Sequence, residues 1–228
     1  MNKYFAILAA VALSAVTSMT AQAAISVTGL HNTGENPVES NYVLSSGVTP
    51  NTVPAVYADL SGNTFPGAWA DNPSGANWIG PVAFSGMAPI NSAADDTWVG
   101  FYDYTLTFQV TGDVADLAGL AIVGNWATDN NGWILLNSTN TGYSLTNGFK
   151  PSLPFALTTA NGLTMGWNTL TFRIENIDFP ASEYGKGHIN PTGLLVSDLH
   201  ATPEPSTVVI WGALASLGGV VVWKKRNA

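Results

Sequence analysis

The stretch Gly119–Asn137, "GLAIVGNWATDNNGWILLN", decides the fold. Two apolar runs, about Leu120–Ala127 and Trp133–Asn137, are each too short for a helix and rich in strand-forming residues. Between them lies Asp129-Asn130-Asn131-Gly132, whose residues tolerate the left-handed backbone of a tight turn. The expectation is two strands joined as a hairpin.

Alternation continues on both sides of this stretch. In "NTLTFRIEN" (168–176), Leu170, Phe172 and Ile174 share one face, opposite Thr169, Thr171, Arg173 and Glu175. In "FYDYTLTFQV" (101–110), Tyr102, Tyr104, Leu106, Phe108 and Val110 do the same, opposite Asp103, Thr105, Thr107 and Gln109. Further strand candidates lie near Ile25–Thr28, Tyr42–Leu44, Ala55–Ala58, Asn77–Ile79, Phe155–Thr158 and Leu194–Leu199. No stretch of this region carries a helical period, and no internal repeat is visible. Short strands and turn residues without intervening helices point to an all-β, antiparallel sandwich. The proline- and glycine-rich segment from Thr49 to Pro89 reads as long loops at one end of it.

The 228 residues suit one domain with appendages. Residues 1–23 read as a secretory signal peptide: Lys3, then an apolar core from Tyr4 to Val16, then Ala21-Gln22-Ala23 as the cleavage site. The mature chain is expected to begin at Ala24. The domain proper is then 24–201, where three basic residues (Lys150, Arg173, Lys186) face fourteen acids, a formal charge of −11. Such a surface repels nucleic acid, whose binding depends on neutralising phosphates. Cysteine is absent, which removes disulfides, thiolate nucleophiles and Cys-ligated metals from consideration.

The last segment, 202–228, holds an uncharged run from Thr207 to Trp223, followed by Lys224, Lys225 and Arg226. Its length reaches the lower limit for a single transmembrane helix. The basic cluster would stop transfer and stay cytoplasmic. Pro203, Glu204 and Pro205 stand just before the run and keep the junction extended. Pro-Glu-Pro, an apolar helix and a basic end, in that order, resemble the PEP-CTERM sorting signal of Gram-negative bacteria that make exopolysaccharide. The resemblance implies export through the Sec translocon and transient insertion in the inner membrane. It also implies cleavage by an exosortase near Pro203–Pro205 and delivery to the cell surface or extracellular matrix.

A second resemblance lies in the domain. "GWILLNSTNTG" (132–142) followed by "LTMGWNTLTFRIEN" (163–176) resembles a strand pair of galactose-binding-like jelly rolls, with Gly166-Trp167-Asn168-Thr169-Leu170-Thr171-Phe172 as the G-x-N-x-L-x-F element. Asn137-Ser138-Thr139-Asn140 stands where the family has an Asn-Gly turn. "GNWATDNNGWILLN" (124–137) also resembles a block found in PEP-CTERM ectodomains. These likenesses imply a jelly-roll-like sandwich and specify no ligand.

Sugar binding needs aromatic faces for C–H groups and amides or carboxylates for hydroxyls. Trp126, Asp129, Asn130, Asn131 and Trp133 would supply both if they clustered at a loop tip, and Trp69 and Trp78 lie in the long loops. The bland alternative makes Trp126 and Trp133 core residues of neighbouring strands. No cofactor is called for; a structural Ca²⁺ would have to draw on Asp95, Asp96, Asp129 and Asp178, which lack EF-hand spacing. His31, His188 and His200 are far apart and lack metal-ligand spacing, and no G-x-S-x-G nucleophile motif is present. The functional expectation is therefore a non-enzymatic surface or matrix protein contacting exopolysaccharide. The alternatives are a secreted glycosidase-like enzyme and a permanently membrane-anchored structural protein.

Overall fold

Three long alternating segments, among them the two expected from their period-2 patterns, form the frame on which the other strands pair. The computed structural model describes residues 25–35, 38–46, 56–58, 69–81, 100–150, 152–177 and 192–202. Within them the strands are β1 (Ser26–Thr28), β2 (Val38–Glu39), β3 (Tyr42–Ser46), β4 (Val56–Ala58), β5 (Ile79–Gly80) and β6 (Gly100–Thr111). There follow β7 (Ile122–Asp129), β8 (Asn131–Leu136), β9 (Thr139–Leu145), β10 (Leu153–Leu157), β11 (Gly166–Asn176) and β12 (Gly193–Ala201). Short 3-10 helices lie at Val114–Gly119 and Thr159–Asn161. The signal peptide, the Pro203-Glu204-Pro205 motif, the apolar run and the basic cluster all lie outside the described residues.

Every pairing is antiparallel. One sheet runs β1-β6-β11-β8-β9, with β3 following β1 along the same edge of β6; the other runs β10-β7-β12-β5-β4-β2. From β5 onward the strands divide into β5-β12-β7-β10 and β6-β11-β8-β9. Two antiparallel sheets facing each other across one apolar core make an all-β sandwich.

The even-numbered side chains of β6 face inward as the alternation requires: Tyr104, Leu106, Phe108 and Val110 are buried. Phe172 of β11 is the hub between the layers, with ring centroids 5.8 Å from Trp126 of β7 and 5.9 Å from Phe155 of β10. Tilted and edge-on rings of this kind add to the apolar burial that holds two sheets together.

The expected hairpin across Asp129–Gly132 does not form. β7 and β8 lie in different sheets, and Asn130 alone carries the chain between them. None of residues 129–132 has positive φ; the Asp129–Asn130 peptide is cis. The left-handed pair is instead Asn137-Ser138, at φ 51° and 66°, which joins β8 to β9 in a two-residue hairpin. Asn137 fits this position for a further reason. Its Nδ2 donates to Gly162 O (3.0 Å) and Asn168 Oδ1 (2.9 Å), while its Oδ1 accepts from Thr169 N (2.9 Å). Asn168, the asparagine of the G-x-N element, donates in turn to Thr164 O and Gly166 O. The two amides thus latch the β8–β9 turn to the start of β11.

The segment from Trp69 to Asn77 folds over the outer surface of the second sheet instead of standing off as an open loop. The rings of Trp69 and Trp78, with centroids 4.3 Å apart, pack with Ala127 and Leu195 into a small second core. β7 and β12 are consequently buried on both faces at this end. Gly193 is required there, since a Cβ would meet the Trp69 ring at 2.9 Å.

Candidate functional site

Of the five candidate sugar-contact residues, the structure separates those that pack from those that face solvent. Trp126 is 1% exposed, and Asp129 and Asn130 are also buried. They form no loop tip, because the even parity that puts Ile122 inward does the same to Trp126. Trp69 and Trp78 are likewise buried under their own loop and offer no platform. Asn131 and Trp133 remain on the accessible side of β8.

Asp129 and Asn130 instead make a closed polar corner between the sheets. Asn130 Nδ2 donates to Asp129 Oδ1 (2.7 Å), and Thr192 Oγ1 donates to Asp129 O (2.6 Å). Asn130 O accepts from Gly148 N (2.9 Å) and Thr128 Oγ1 (3.2 Å), and Asn130 Oδ1 accepts from Ile177 N (2.9 Å). Burial pushes the Asp129 carboxyl up to about 7, and a hydrogen bond from the Trp69 side chain opposes the rise. The turn-forming sequence is thus a structural joint.

Facing solvent on the β6-β11-β8 sheet is a patch whose residues sit at odd-numbered positions. Phe101 of β6 and Trp133 of β8 lean toward each other across β11, with centroids 6.2 Å apart at 52°. In register, Phe101 stands opposite Glu175 and Trp133 opposite Arg173. Arg173 Nε and Nη2 donate to the two oxygens of Asp103 at 2.8 and 2.7 Å. These hydrogen bonds, chiefly, raise the guanidinium further above its ordinary value. Both partners keep contact with water, so the pair orients side chains more than it stabilises the fold. Asn131 Nδ2 donates to Glu175 Oε2 (3.0 Å). Along the same face stand Val43, at 56% exposure, a Thr105–Thr171 hydroxyl pair, and Trp167, at 68%.

Phe101, Asp103, Arg173, Glu175 and Trp167 are thus added to Trp133 and Asn131. Their signal was the alternation itself: residues opposite the apolar faces of β6 and β11 form one continuous surface once those strands pair. Fixed amide, guanidinium and carboxylate groups beside open rings can hold sugar hydroxyls while C–H faces pack on the rings.

Of the acids considered for calcium, Asp95, Asp96 and Asp178 lie outside the described residues, and Asp129 is engaged in the buried corner. Among the described residues no three His, Asp or Glu side chains group so as to hold a metal ion. Among them, too, no helix is long and apolar enough to cross a membrane.

The wiring and the exposed face define a two-sheet, all-β sandwich with one aromatic, polar-flanked surface. No protein-family model and no curated protein matches the chain. Among solved structures it is similar to a beta-glucuronidase from an uncultured Clostridium species, at 16% identity and a TM-score of 0.33. The match covers 76% of this chain and 29% of the glucuronidase chain.

Proposed function

We propose that this chain is an exported, non-catalytic surface or matrix protein that contacts polysaccharide through the outer face of β6, β11 and β8. The observation that carries the reading is the Phe101–Trp133 pair, held open to solvent beside Arg173, Asp103, Glu175 and Asn131. Delivery would follow from the ends of the chain. A signal peptide leads to the Sec translocon, Thr207–Trp223 holds the protein transiently in the inner membrane, and an exosortase cleaves near Pro203-Glu204-Pro205. Within this reading the domain is of the galactose-binding-like kind, supported by the Asn137 turn leading to the Gly166–Phe172 strand.

Binding is favoured over glycoside hydrolysis by how the acids on this face are engaged. Hydrolysis needs a carboxyl free to donate a proton and a second free to attack or activate water. Both oxygens of Asp103 accept from Arg173, so of these two acids only Glu175, which accepts from Asn131 through Oε2, keeps an oxygen without a hydrogen bond among the described residues, and the pair that hydrolysis needs is incomplete.

Affinity electrophoresis in gels containing bacterial exopolysaccharide tests the reading. Wild-type protein should be retarded, and Trp133→Ala and Phe101→Ala should each migrate closer to the gel front at unchanged fold. Equal mobility of all three proteins in every polysaccharide would overturn it. Mass spectrometry of the exported protein tests the sorting arm, for which an intact terminus at Ala228 is the adverse result.

A further inference from the structure

We propose that a groove on the opposite sheet, across β10, β7 and β12, is a second site, built for a neutral pyranose that presents adjacent hydroxyls. It rests on the polysaccharide reading for its ligand class, but on separate residues.

The groove has a volume of about 480 Å³, within the range of small-molecule sites. Val123, Pro154 and Ala156 form an apolar floor; Asn125, Asp198 and His200 form a polar wall. These residues face outward because their neighbours Ile122, Trp126, Phe155 and Leu157 are buried in the core.

The wall depends on a β-bulge. In β12, Leu194 and Val196 point inward at even positions, whereas beyond the bulge Leu199 does so at an odd one. The extra residue falls between Ser197 and His200, where Asp198 adopts φ 53°. Without it, Asp198 and His200 would be directed into the core; with it, both stand on the groove side. The bulge is secured from outside, Leu199 N donating to Asn32 Oδ1 and Val196 N to Thr33 Oγ1, both at 2.9 Å. At the far side, the Tyr143 hydroxyl donates to Ala156 O and accepts from Ala156 N, fastening the edge strand β10.

The chemistry of the wall is that of an acceptor. Asn125 Nδ2 donates to Asp198 Oδ2 (3.1 Å), which leaves Oδ1 without a hydrogen bond among the described residues. His200 Nδ1 lies 2.7 Å from Asp198 O. A carbonyl only accepts, so Nδ1 donates to it, and Nε2 has no hydrogen bond among the described residues. Acceptors gathered beside an apolar floor suit hydroxyl donors on a ring whose C–H face lies flat. The Asp198 charge repels a carboxylate, so a uronate should be rejected.

The test is an amide-shift titration of the ¹⁵N-labelled full chain in a sugar-free zwitterionic detergent. The probes are the methyl glycosides of glucose, galactose and mannose, with methyl glucuronoside as the anionic control. At least one neutral glycoside should shift the Val123, Asn125 and Asp198 amides saturably, and the glucuronoside should not. Asp198→Gly, which suits the positive φ, and Asn125→Ala should each weaken binding about tenfold or more while the protein stays folded, with no large drop in melting temperature. If Asp198→Gly misfolds, Asp198→Asn replaces one acceptor with a donor in a residue that also tolerates this backbone. Trp133→Ala should leave the groove affinity unchanged. The proposal is overturned if no neutral glycoside shifts these amides up to about 100 mM, where even weak sites fill. It is also overturned if the glucuronoside binds equally, or if folded Asp198 variants bind as wild type does. Groove shifts with silent Phe101 and Trp133 amides would remove only the β6-β11-β8 reading, and the reverse pattern only this one.

Discussion

Replacing Asp129 with asparagine should stabilise the protein at neutral pH and remove most of its pH dependence between about 4 and 7. The Asp129 carboxyl titrates near 7 when folded, against 3.8 for an ordinary aspartate. Its proton is held more tightly in the folded state, so between these values the folded state carries more protons than the unfolded one. Stability from this group is therefore greatest below pH 4 and falls as pH rises toward 7. The difference of about 3 pH units, at 1.36 kcal/mol each, comes to roughly 4 kcal/mol lost by pH 8. Asparagine keeps the size and an acceptor oxygen for Trp69 and Asn130 but carries no charge. Urea unfolding of both proteins at pH 4, 5, 6, 7 and 8 checks this, with tryptophan fluorescence as the probe. Subtracting the two profiles cancels every other titrating group. The wild type should lose stability relative to the variant as pH rises, by several kcal/mol over the range. Parallel profiles, or a variant less stable throughout, would refute the assignment of a buried, proton-holding Asp129.

Gly193→Ala drives a Cβ to 2.9 Å from the Trp69 ring and should cost about 1–3 kcal/mol in urea unfolding, with altered tryptophan fluorescence. Ser138→Gly relieves a non-glycine φ of 66° and should raise stability by about 1 kcal/mol, read as a higher melting temperature. Asn137→Ala both strains the same turn and removes three side-chain hydrogen bonds, and a loss of about 2–4 kcal/mol is expected by chemical denaturation. Tyr143→Phe should cost about 1–2 kcal/mol and speed hydrogen exchange at the Ala156 amide, which the hydroxyl otherwise holds.

Much of the scaffold is legible before any folding. The alternation in residues 101–110 and 168–176 names the inward faces of β6 and β11, and those residues are the ones buried. β9 escapes the same reading: "TNTGYSL" has little apolar pattern because it is a sheet edge with most side chains toward water. The Asp129–Gly132 joint escapes for a different reason. Strands that face one core show the same inward parity whether they pair in one sheet or cross to the opposite one. Turn-tolerant residues between them therefore do not distinguish a hairpin from a crossover.

The candidate site divides along the same line. Trp126 and Trp133 flank one short motif, and parity alone already separates them, since Trp133 stands opposite the inward set of Ile134 and Leu136. Trp69 and Trp78 offered no such clue, because a loop has no period to say which side is inward. Only the packing of this segment over Ala127 and Leu195 buried them, and it brought the Trp69 side chain to the Asp129 carboxyl.

By itself, then, the sequence determined which side chains each long strand turns inward, because the pleat imposes a period of two on every residue. Which strand lies beside which was left to tertiary structure, since that depends on contacts between residues far apart in the chain. The same contacts crossed β7 to the second sheet, raised the Asp129 carboxyl, and turned Asp198 and His200 outward at a bulge.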